Sequence, residues 1–159
     1  MEILIILGHP DKGSFNHAIA ETVLRTVADN GHHAVFRDLY EERFEPVLPP
    51  GEIPKAAHLD PTIKRCCGEL AGADGIVIIH PNWWGQPPAV LKGWIDRVLR
   101  PGIAYEFLEG DSGEGIPRGL LNAKAAVVFN TSNTLPEREQ SVFGDPLETI
   151  WRNCVFGLC

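Results

Sequence analysis

The sequence predicts an α/β protein with a doubly wound parallel sheet and helices on both faces. Apolar runs of strand length alternate along the chain with amphipathic segments of helical spacing. The first run, residues 2–7, is almost continuously apolar, which is typical of a strand covered on both faces. A chain of 159 residues without a visible internal repeat is expected to form one domain, residues 1–159, with one sizeable core.

The amino-terminal half predicts two strand–helix pairs separated by an irregular segment. Ser14 is a good N-cap, and apolar residues recur at helical spacing after it. Residues 40–60 contain four prolines and several acidic side chains, so we expect a long surface segment, of a kind that is often functional. The predicted elements are a strand at 2–7, a helix from Ser14 to Asn30-Gly31 with its apolar stripe at Phe15, Ile19, Val23 and Val27, a strand at 33–39 and a helix at 61–70.

The carboxy-terminal half continues the alternation. Residues from Leu91 to Leu99 place apolar side chains at i, i+3, i+4, i+7 and i+8, which predicts a helix packed on a sheet. A fourth parallel strand would lie at an open edge, so we expect a further strand to be missing from a shortened chain, or a partner chain to cover the edge. The other predicted elements are strands at 75–79, 103–107 and within 124–130, and a helix from Asp145 toward Phe156.

The composition excludes several classes of function. A net charge of −7 disfavours nucleic-acid binding, which depends on a positive surface. No segment is long enough to cross a bilayer, and the amino terminus lacks the features of a signal peptide, so we expect no direct membrane insertion. The adjacent Cys66 and Cys67 form neither a zinc motif nor a redox CxxC motif. Buried free thiols in a reducing cytoplasm are therefore expected.

Three loops follow the carboxyl ends of predicted strands, where open parallel sheets bind ligands. The first, Gly8 to Asn16, leads into a helix N-terminus, which is a natural phosphate site. Ser14 and Asn16 can add side-chain hydrogen bonds and Lys12 can add charge. An ordinary N-cap after a turn explains this loop equally well. The spacing is not GxGxxG, so a standard Rossmann dinucleotide loop is disfavoured.

The second loop, residues 80–88, places Trp83 and Trp84 between a strand end and a turn stiffened by Gly85 and two prolines. This position does not suit deep burial, so we favour a ligand platform over a core role. Asn82 and the backbone N–H groups of the loop can supply polar contacts. The tryptophans then form an apolar wall for a flat heteroaromatic ligand.

The third loop, residues 130–134, is rich in hydroxyls and amides and lies at the same end of the sheet. Its ordinary interpretation is a polar turn. The three loops together describe a site for a phosphorylated planar cofactor, for which a flavin nucleotide fits best. His9 and His80 end the first and third strands. Capping or flavin hydrogen bonding is favoured over a metal pair for them, and no metal site is predicted.

Three motifs resemble the flavodoxin-like NAD(P)H dehydrogenase (quinone) family, which includes the ancillary oxidoreductases of potassium-efflux systems. "GHPDKGSFN" is similar to the family's first loop, and "HPNWWGQPPAVLKGWIDRV" is similar to its Pro-x-x-Trp segment. "GLLNAKAAVVFNTSN" resembles the strand that leads into the family's Thr-Thr-Gly-Gly loop, with Thr131-Ser132-Asn133-Thr134 in its place. "YEF" at residues 105–107 and the Gly-rich stretch after it also resemble the family.

The resemblance implies a flavodoxin-like fold, a homodimer, and FAD or FMN as cofactor. The implied reaction moves two electrons from NAD(P)H through the flavin to a quinone or similar acceptor. The implied alternative is a regulatory subunit that docks on a membrane potassium-efflux transporter, with the acidic 40–60 segment as its docking surface. No catalytic acid or base is assigned, because the segment 137–144 offers Glu139 and Phe143 where well-known members have Tyr and His. The implied cofactor-binding residues are His9, Ser14, Phe15, Asn16, Pro81, Asn82, Trp83, Trp84, Gly85, Thr131, Ser132 and Asn133.

Overall fold

A four-stranded parallel sheet forms the centre of the computed structural model, which describes residues 1–108 and 115–159. The first strand pairs with the second and the third, and the third pairs with the last. The predicted strands at 2–7, 33–39, 75–79 and within 124–130 are confirmed to within two residues. The strands are β1 (Glu2–Leu7), β2 (His33–Asp38), β3 (Gly75–Pro81), β4 (Tyr105–Glu106), β5 (Arg118–Gly119) and β6 (Ala126–Thr131), and the sheet order is β2-β1-β3-β6.

Helices cover the two faces of this sheet, as the sequence predicts. Proline stands at the first or second position of several of them, where its missing N–H costs no hydrogen bond. The last helix begins in α-helical form and continues with π-type hydrogen bonding. The helices are α1 (Phe15–Asp29), α2 (Pro61–Gly72), α3 (Ala89–Val98), α4 (Pro136–Phe143) and α5 (Pro146–Glu148), which continues as a π-helix at Thr149–Val155.

Alternate residues of the central strands enter separate cores. Leu4 and Ile6 of β1 face the larger core, which α2, α3 and the last helix cover. Ile5 and Leu7 face the smaller core beneath α1. The short strands β4 and β5 form a separate antiparallel pair, and the predicted Gly-rich stretch between them includes residues 109–114, which lie outside the described part of the chain. Strand β6 lies at the sheet edge, as predicted, with Phe129 exposed on it.

The 40–60 segment is fixed to α3 by a buried ion pair. The guanidinium of Arg97 donates to both carboxylate oxygens of Glu52, at 3.0 and 2.7 Å, and to the backbone oxygen of Glu45 at 2.6 Å. Pro46 lies so close to α3 that a Cβ on Gly93 would stand 2.3 Å from its nearest atoms. The segment therefore packs closely on the body of the protein, although much of it runs along the surface.

Candidate functional site

The three predicted loops meet at the carboxyl edge of the sheet. Asn16, on α1, donates from Nδ2 to the Thr131 hydroxyl at 3.0 Å. The backbone N–H of Asn82 donates to the carbonyl of Thr131 at 2.7 Å. The ring centroids of His9 and Trp83 lie 6.1 Å apart. The structure therefore brings the first, second and third loops into direct contact, as the strand-end rule predicts.

A cleft of about 440 Å³ opens between the tryptophan loop and the loop after β6. Its volume lies within the range of small-molecule sites, about 300–1,000 Å³. Its lining combines aromatic and apolar side chains with hydroxyls, amides and one carboxylate. The lining residues are Asn82, Trp84, Gly85, Ser132, Asn133, Thr134, Glu139, Phe143 and Pro146.

A tight turn presents Trp84 to this cleft. The backbones of Trp83 and Gln86 exchange two hydrogen bonds of 3.1 Å, so Trp84 and Gly85 are the two central residues. Their φ angles are 59° and 70°, as in a type I′ turn. Asn or Gly is preferred at the first central position, because a side chain with positive φ is strained. A fully exposed tryptophan stands there instead, at 101% of its reference area.

The turn is held from two sides. Asn82 accepts the Gly85 N–H through Oδ1 at 2.9 Å and donates through Nδ2 to Glu139 at 3.0 Å. A Cβ on Gly85 would lie 2.8 Å from Cγ of Pro146, so only glycine fits this close approach. The second oxygen of Glu139, Oε2, is buried without a partner among the described residues. It is the carboxylate oxygen available to a hydrogen-bond donor bound in the cleft.

The first loop fits a phosphorylated ligand. Asn16 is 2% exposed, and its Oδ1 has no partner in the described part of the chain. The oxygen and the NH₂ group of an asparagine amide have nearly the same shape, and the Thr131 hydroxyl can bond to either of them as donor or acceptor. Asn16 can therefore turn either its oxygen or its NH₂ group toward a ligand. The NH₂ group suits a phosphate and the oxygen suits a ribityl hydroxyl. Nδ1 of His9 lies 3.1 Å from the backbone nitrogen and 3.2 Å from the backbone oxygen of Asp11, so the ring is held against the first loop by this residue.

Ser14, His17 and Asp38 form a connected chain of hydrogen bonds behind this loop. The Ser14 Oγ lies 3.0 Å from Nδ1 of His17, and Nε2 of His17 lies 3.2 Å from Oδ2 of Asp38. Ser14 also accepts the backbone N–H of His17 as the N-cap of α1. The sequence analysis missed both His17 and Asp38. The available signals were the i, i+3 spacing of Ser14 and His17 and the position of Asp38 at a strand's carboxyl end.

Two side chains differ from the sequence predictions. Phe15 was predicted within the apolar stripe of α1, but it is 83% exposed because it is the first residue of the helix and lies beyond the sheet. His80 was predicted to cap or to bind the flavin, but it is 0% exposed. Its Nδ1 donates to the Pro81 carbonyl and its Nε2 accepts the indole N–H of Trp151. Burial lowers the pKa of His80, which keeps the ring neutral.

The other predicted residues surround the cleft at different depths. Pro81 lies inside β3, opposite Thr131, and is buried behind the loop. Ser132 accepts the backbone N–H of Thr134, which shapes the third loop without glycine. Glu139 and Phe143 line the cleft from α4, and Pro146 lines it from α5, although the sequence assigned no role to these residues. Their apolar periodicity is weak, and only the fold brings them to the tryptophan loop.

Neither a metal-binding cluster nor a membrane-spanning helix is found in the described residues. Residues 1–108 and 115–159 contain no group of three or more His, Cys, Asp or Glu side chains placed to hold a metal ion. Within the same residues, no helix combines the length and the apolar character that a membrane span requires.

The chain is similar in sequence to proteins that are named as oxidoreductases, and in structure to a solved bacterial protein. A Haemophilus influenzae protein named as an uncharacterized NAD(P)H oxidoreductase is 39% identical over 134 residues, which cover 82% of this chain and 64% of that protein. An FMN-dependent NADH:quinone oxidoreductase from Azotobacter vinelandii is 34% identical over 113 residues, 71% of this chain and 53% of that protein. The crystal structure of Smu.1420 from Streptococcus mutans UA159 superposes with a TM-score of 0.82 and 29% identity, and covers 100% of this chain and 81% of that one.

The chain spans less than two thirds of the length of these two curated relatives. The family match nevertheless extends over residues 1–159. It agrees with the parallel sheet order β2-β1-β3-β6 and with helices on both faces of the sheet. On this match the chain belongs to the Flavodoxin_2 family, which is described by its flavodoxin-like fold.

Proposed function

We propose that the protein is a flavin-dependent NAD(P)H oxidoreductase that reduces a quinone or a similar acceptor. The observation that carries this proposal is the cleft of about 440 Å³, with an exposed indole on one wall and with Thr131, just before its lining residues, bonded to Asn16 at the α1 N-terminus. The names of the Haemophilus and Azotobacter relatives support the same chemistry. The name of the Azotobacter protein favours FMN, and FAD is the alternative that analysis of the bound cofactor tests.

The residues of the cleft have separate tasks in this proposal. The α1 N-terminus with Ser14 and Asn16 holds the phosphate and the ribityl chain, since N–H groups and the helix dipole favour an anion there. Trp84 and Phe143 cover the flat ring and exclude water from it. A bound flavin supplies the two-electron transfer between NAD(P)H and the acceptor. No side chain is then needed as a nucleophile, acid or base.

Visible absorbance of the purified protein tests the proposal. We expect a flavin band, either on isolation or after incubation with excess FMN and removal of the free cofactor. Addition of NADH or NADPH under anaerobic conditions should bleach the band, and a soluble quinone should restore it. Boiled protein with the same flavin is the control for free flavin chemistry. Protein that retains neither FMN nor FAD contradicts the proposal.

The regulatory alternative depends on the acidic side chains of the 40–60 segment. In the structure Glu41 pairs with Lys12, Glu42 pairs with Arg37 and Arg65, and Glu52 pairs with Arg97. A carboxylate that already has an intramolecular cation presents less free charge to a partner. Docking on a membrane transporter therefore gains no support from this segment, and it stays a prediction, as does the cytoplasmic location.

We propose a homodimer as the assembly of the protein. Three apolar side chains, Leu135, Val142 and Phe143, are exposed beside the open cleft. Association of two copies would remove this apolar surface from water and narrow the cleft. Light scattering coupled to size exclusion measures the mass directly. A mass of 17.5 kDa at all concentrations would contradict the dimer.

A further inference from the structure

The hydrogen bonds of the Ser14–His17–Asp38 chain fix where its protons lie when His17 is neutral. A carboxylate only accepts hydrogen bonds, and Oδ1 of Asp38 already accepts the backbone N–H groups of Tyr40 and Glu41, both at 3.1 Å. Oδ2 accepts from Nε2 of His17, so that nitrogen carries the proton. In a neutral imidazole the other nitrogen is then an acceptor. The hydroxyl proton of Ser14 therefore points to Nδ1 of His17.

This arrangement conflicts with phosphate binding. A serine hydroxyl has one proton, and a phosphate oxygen offers only acceptors. If the Ser14 proton turns to a phosphate, the lone pairs of its Oγ and of the His17 Nδ1 face each other at 3.0 Å. His17 cannot move its proton from Nε2 to Nδ1 to relieve this contact, because the bare Nε2 would then face the buried carboxylate oxygen of Asp38. A proton taken from solvent onto Nδ1 removes the conflict.

With that proton every group is satisfied. The Ser14 oxygen accepts from Nδ1 and from the backbone N–H of His17, and donates its proton to the phosphate. The imidazolium lies between the Asp38 carboxylate and the phosphate, which are both anionic. The hydroxyl then uses one donor and two acceptor positions, which is its full capacity.

We propose that the phosphate of the cofactor binds together with one proton on His17. This inference rests on the proposed function and adds a pH dependence to the same site. Because the bound form holds one more proton, affinity is highest on the acid side and falls by up to tenfold per pH unit as the imidazole loses its proton.

Other charged and polar groups around His17 define its electrostatic surroundings. Asp38 contacts it from the end of β2, and the ring of His9 stands edge-on at a centroid distance of 6.2 Å. Lys12 pairs with Glu41, and the hydrogen bond to Glu41 raises the pKa of Lys12. His9 is thus the neighbouring imidazole, and its contribution must be separated from that of His17.

Calorimetric titration of the full chain with FMN and with riboflavin, from pH 5.5 to 8.5, tests the proposal. Riboflavin has the same ring without the phosphate. His17→Gln keeps an N–H for Asp38 but has no proton to gain, and Ser14→Ala removes the hydroxyl between the two groups. His33→Gln is the matched control, since His33 is a histidine that is 74% exposed at the start of β2. Thermal unfolding of each variant verifies its folding.

We expect the ratio of FMN dissociation constants, His17→Gln over wild type, to fall by up to tenfold per pH unit toward alkaline pH. The second ionisation of the phosphate, near pH 6, is common to both proteins and cancels in that ratio. His9 is present in both and cancels also. The same ratio of dissociation constants for riboflavin should not change with pH. Titrations in buffers of different ionisation heat should show that wild type takes up one more proton per FMN than either His17→Gln or Ser14→Ala.

The outcomes separate the two proposals. An FMN ratio that does not change with pH, or equal proton uptake by wild type and His17→Gln, overturns the proton-linked binding and leaves the flavin site in place. A pH dependence that His33→Gln abolishes equally also overturns it. Absence of binding for both flavins at every pH removes the proposed function, and the inference with it.

Discussion

Replacement of Trp84 is expected to separate folding stability from flavin affinity. The side chain is 101% exposed, so its loss removes no buried area from the folded protein. Its φ of 59° costs about 1–2 kcal/mol in tryptophan or alanine. Glycine avoids this cost, although the greater entropy of its unfolded chain offsets part of the gain. Trp84→Gly should therefore be about 1 kcal/mol more stable than Trp84→Ala, which corresponds to about 2–4 °C in Tm. Trp84→Ala itself should remain within about 0.5 kcal/mol of wild type.

Both variants lose the aromatic wall of the cleft. Stacking of a flat ring on an aromatic side chain contributes about 1–3 kcal/mol, so FMN affinity should fall by about 5- to 150-fold in both. Thermal unfolding of the flavin-free proteins measures the first effect, and quenching of FMN fluorescence measures the second. Val47→Ala, at a residue 70% exposed and outside the cleft, is the control for loss of a surface apolar group. A Tm lowered by more than about 5 °C in Trp84→Ala, or unchanged FMN affinity in both variants, would refute the reasoning.

Three further predictions follow from buried groups. Arg97→Ala leaves the Glu52 carboxylate buried without its partner and should lower the free energy of unfolding, measured by urea denaturation, by about 3–5 kcal/mol. The double replacement Arg97→Met, Glu52→Leu should recover most of this loss. Equal stability of the two variants would contradict this. Burial lowers the pKa of His80, so the unfolded chain binds a proton that the folded chain does not, and stability should fall as pH drops below about 6.5. His80→Gln should flatten that pH dependence of the unfolding free energy, and an unchanged slope argues against the assignment. Burial raises the pKa of Cys67 to about 11 and also raises the pKa values of Cys66 and Cys159. A disulfide reagent at pH 8 should therefore modify the exposed Cys154 first. Rapid reaction of more than one thiol in the native protein speaks against this.

The four strands of the parallel sheet were predictable because each contains a short apolar run, even though β6 at the sheet edge is largely exposed. The helix α4 was not predicted, since it has no buried residues and no apolar stripe. Its boundaries were nevertheless present in the sequence, as Pro136 at its first turn and Gly144 at its end with φ of 71°. The packing of the 40–60 segment had no local signal either, because Glu52 and Arg97 are 45 residues apart.

The candidate site was predictable in position but not in detail. The rule that ligands bind at the carboxyl ends of parallel strands located all three loops. It did not distinguish His80, whose side chain points into the core, from His9, which faces the loops. The side chain of a residue at a strand end can point to either face of the sheet or beyond its edge, and the sequence does not show which of these directions it takes. His17 and Asp38 meet only because α1 packs beside β2.

Backbone strain is concentrated near the cleft, and this favours a ligand role for the tryptophan turn. The described residues other than glycine with positive φ are Arg43, Trp84 and Asp145. Trp84 lines the cleft, and Asp145 directly precedes Pro146, which presses against Gly85. Strained residues persist where surrounding contacts hold them, and they are common at ligand sites. A turn that only reversed the chain would avoid this cost with Asn or Gly in place of Trp84. The contacts of Asn82 and Pro146 with Gly85 fix the backbone of the turn before any ligand arrives, so stacking of a flat ring on the indole does not require the turn to become ordered.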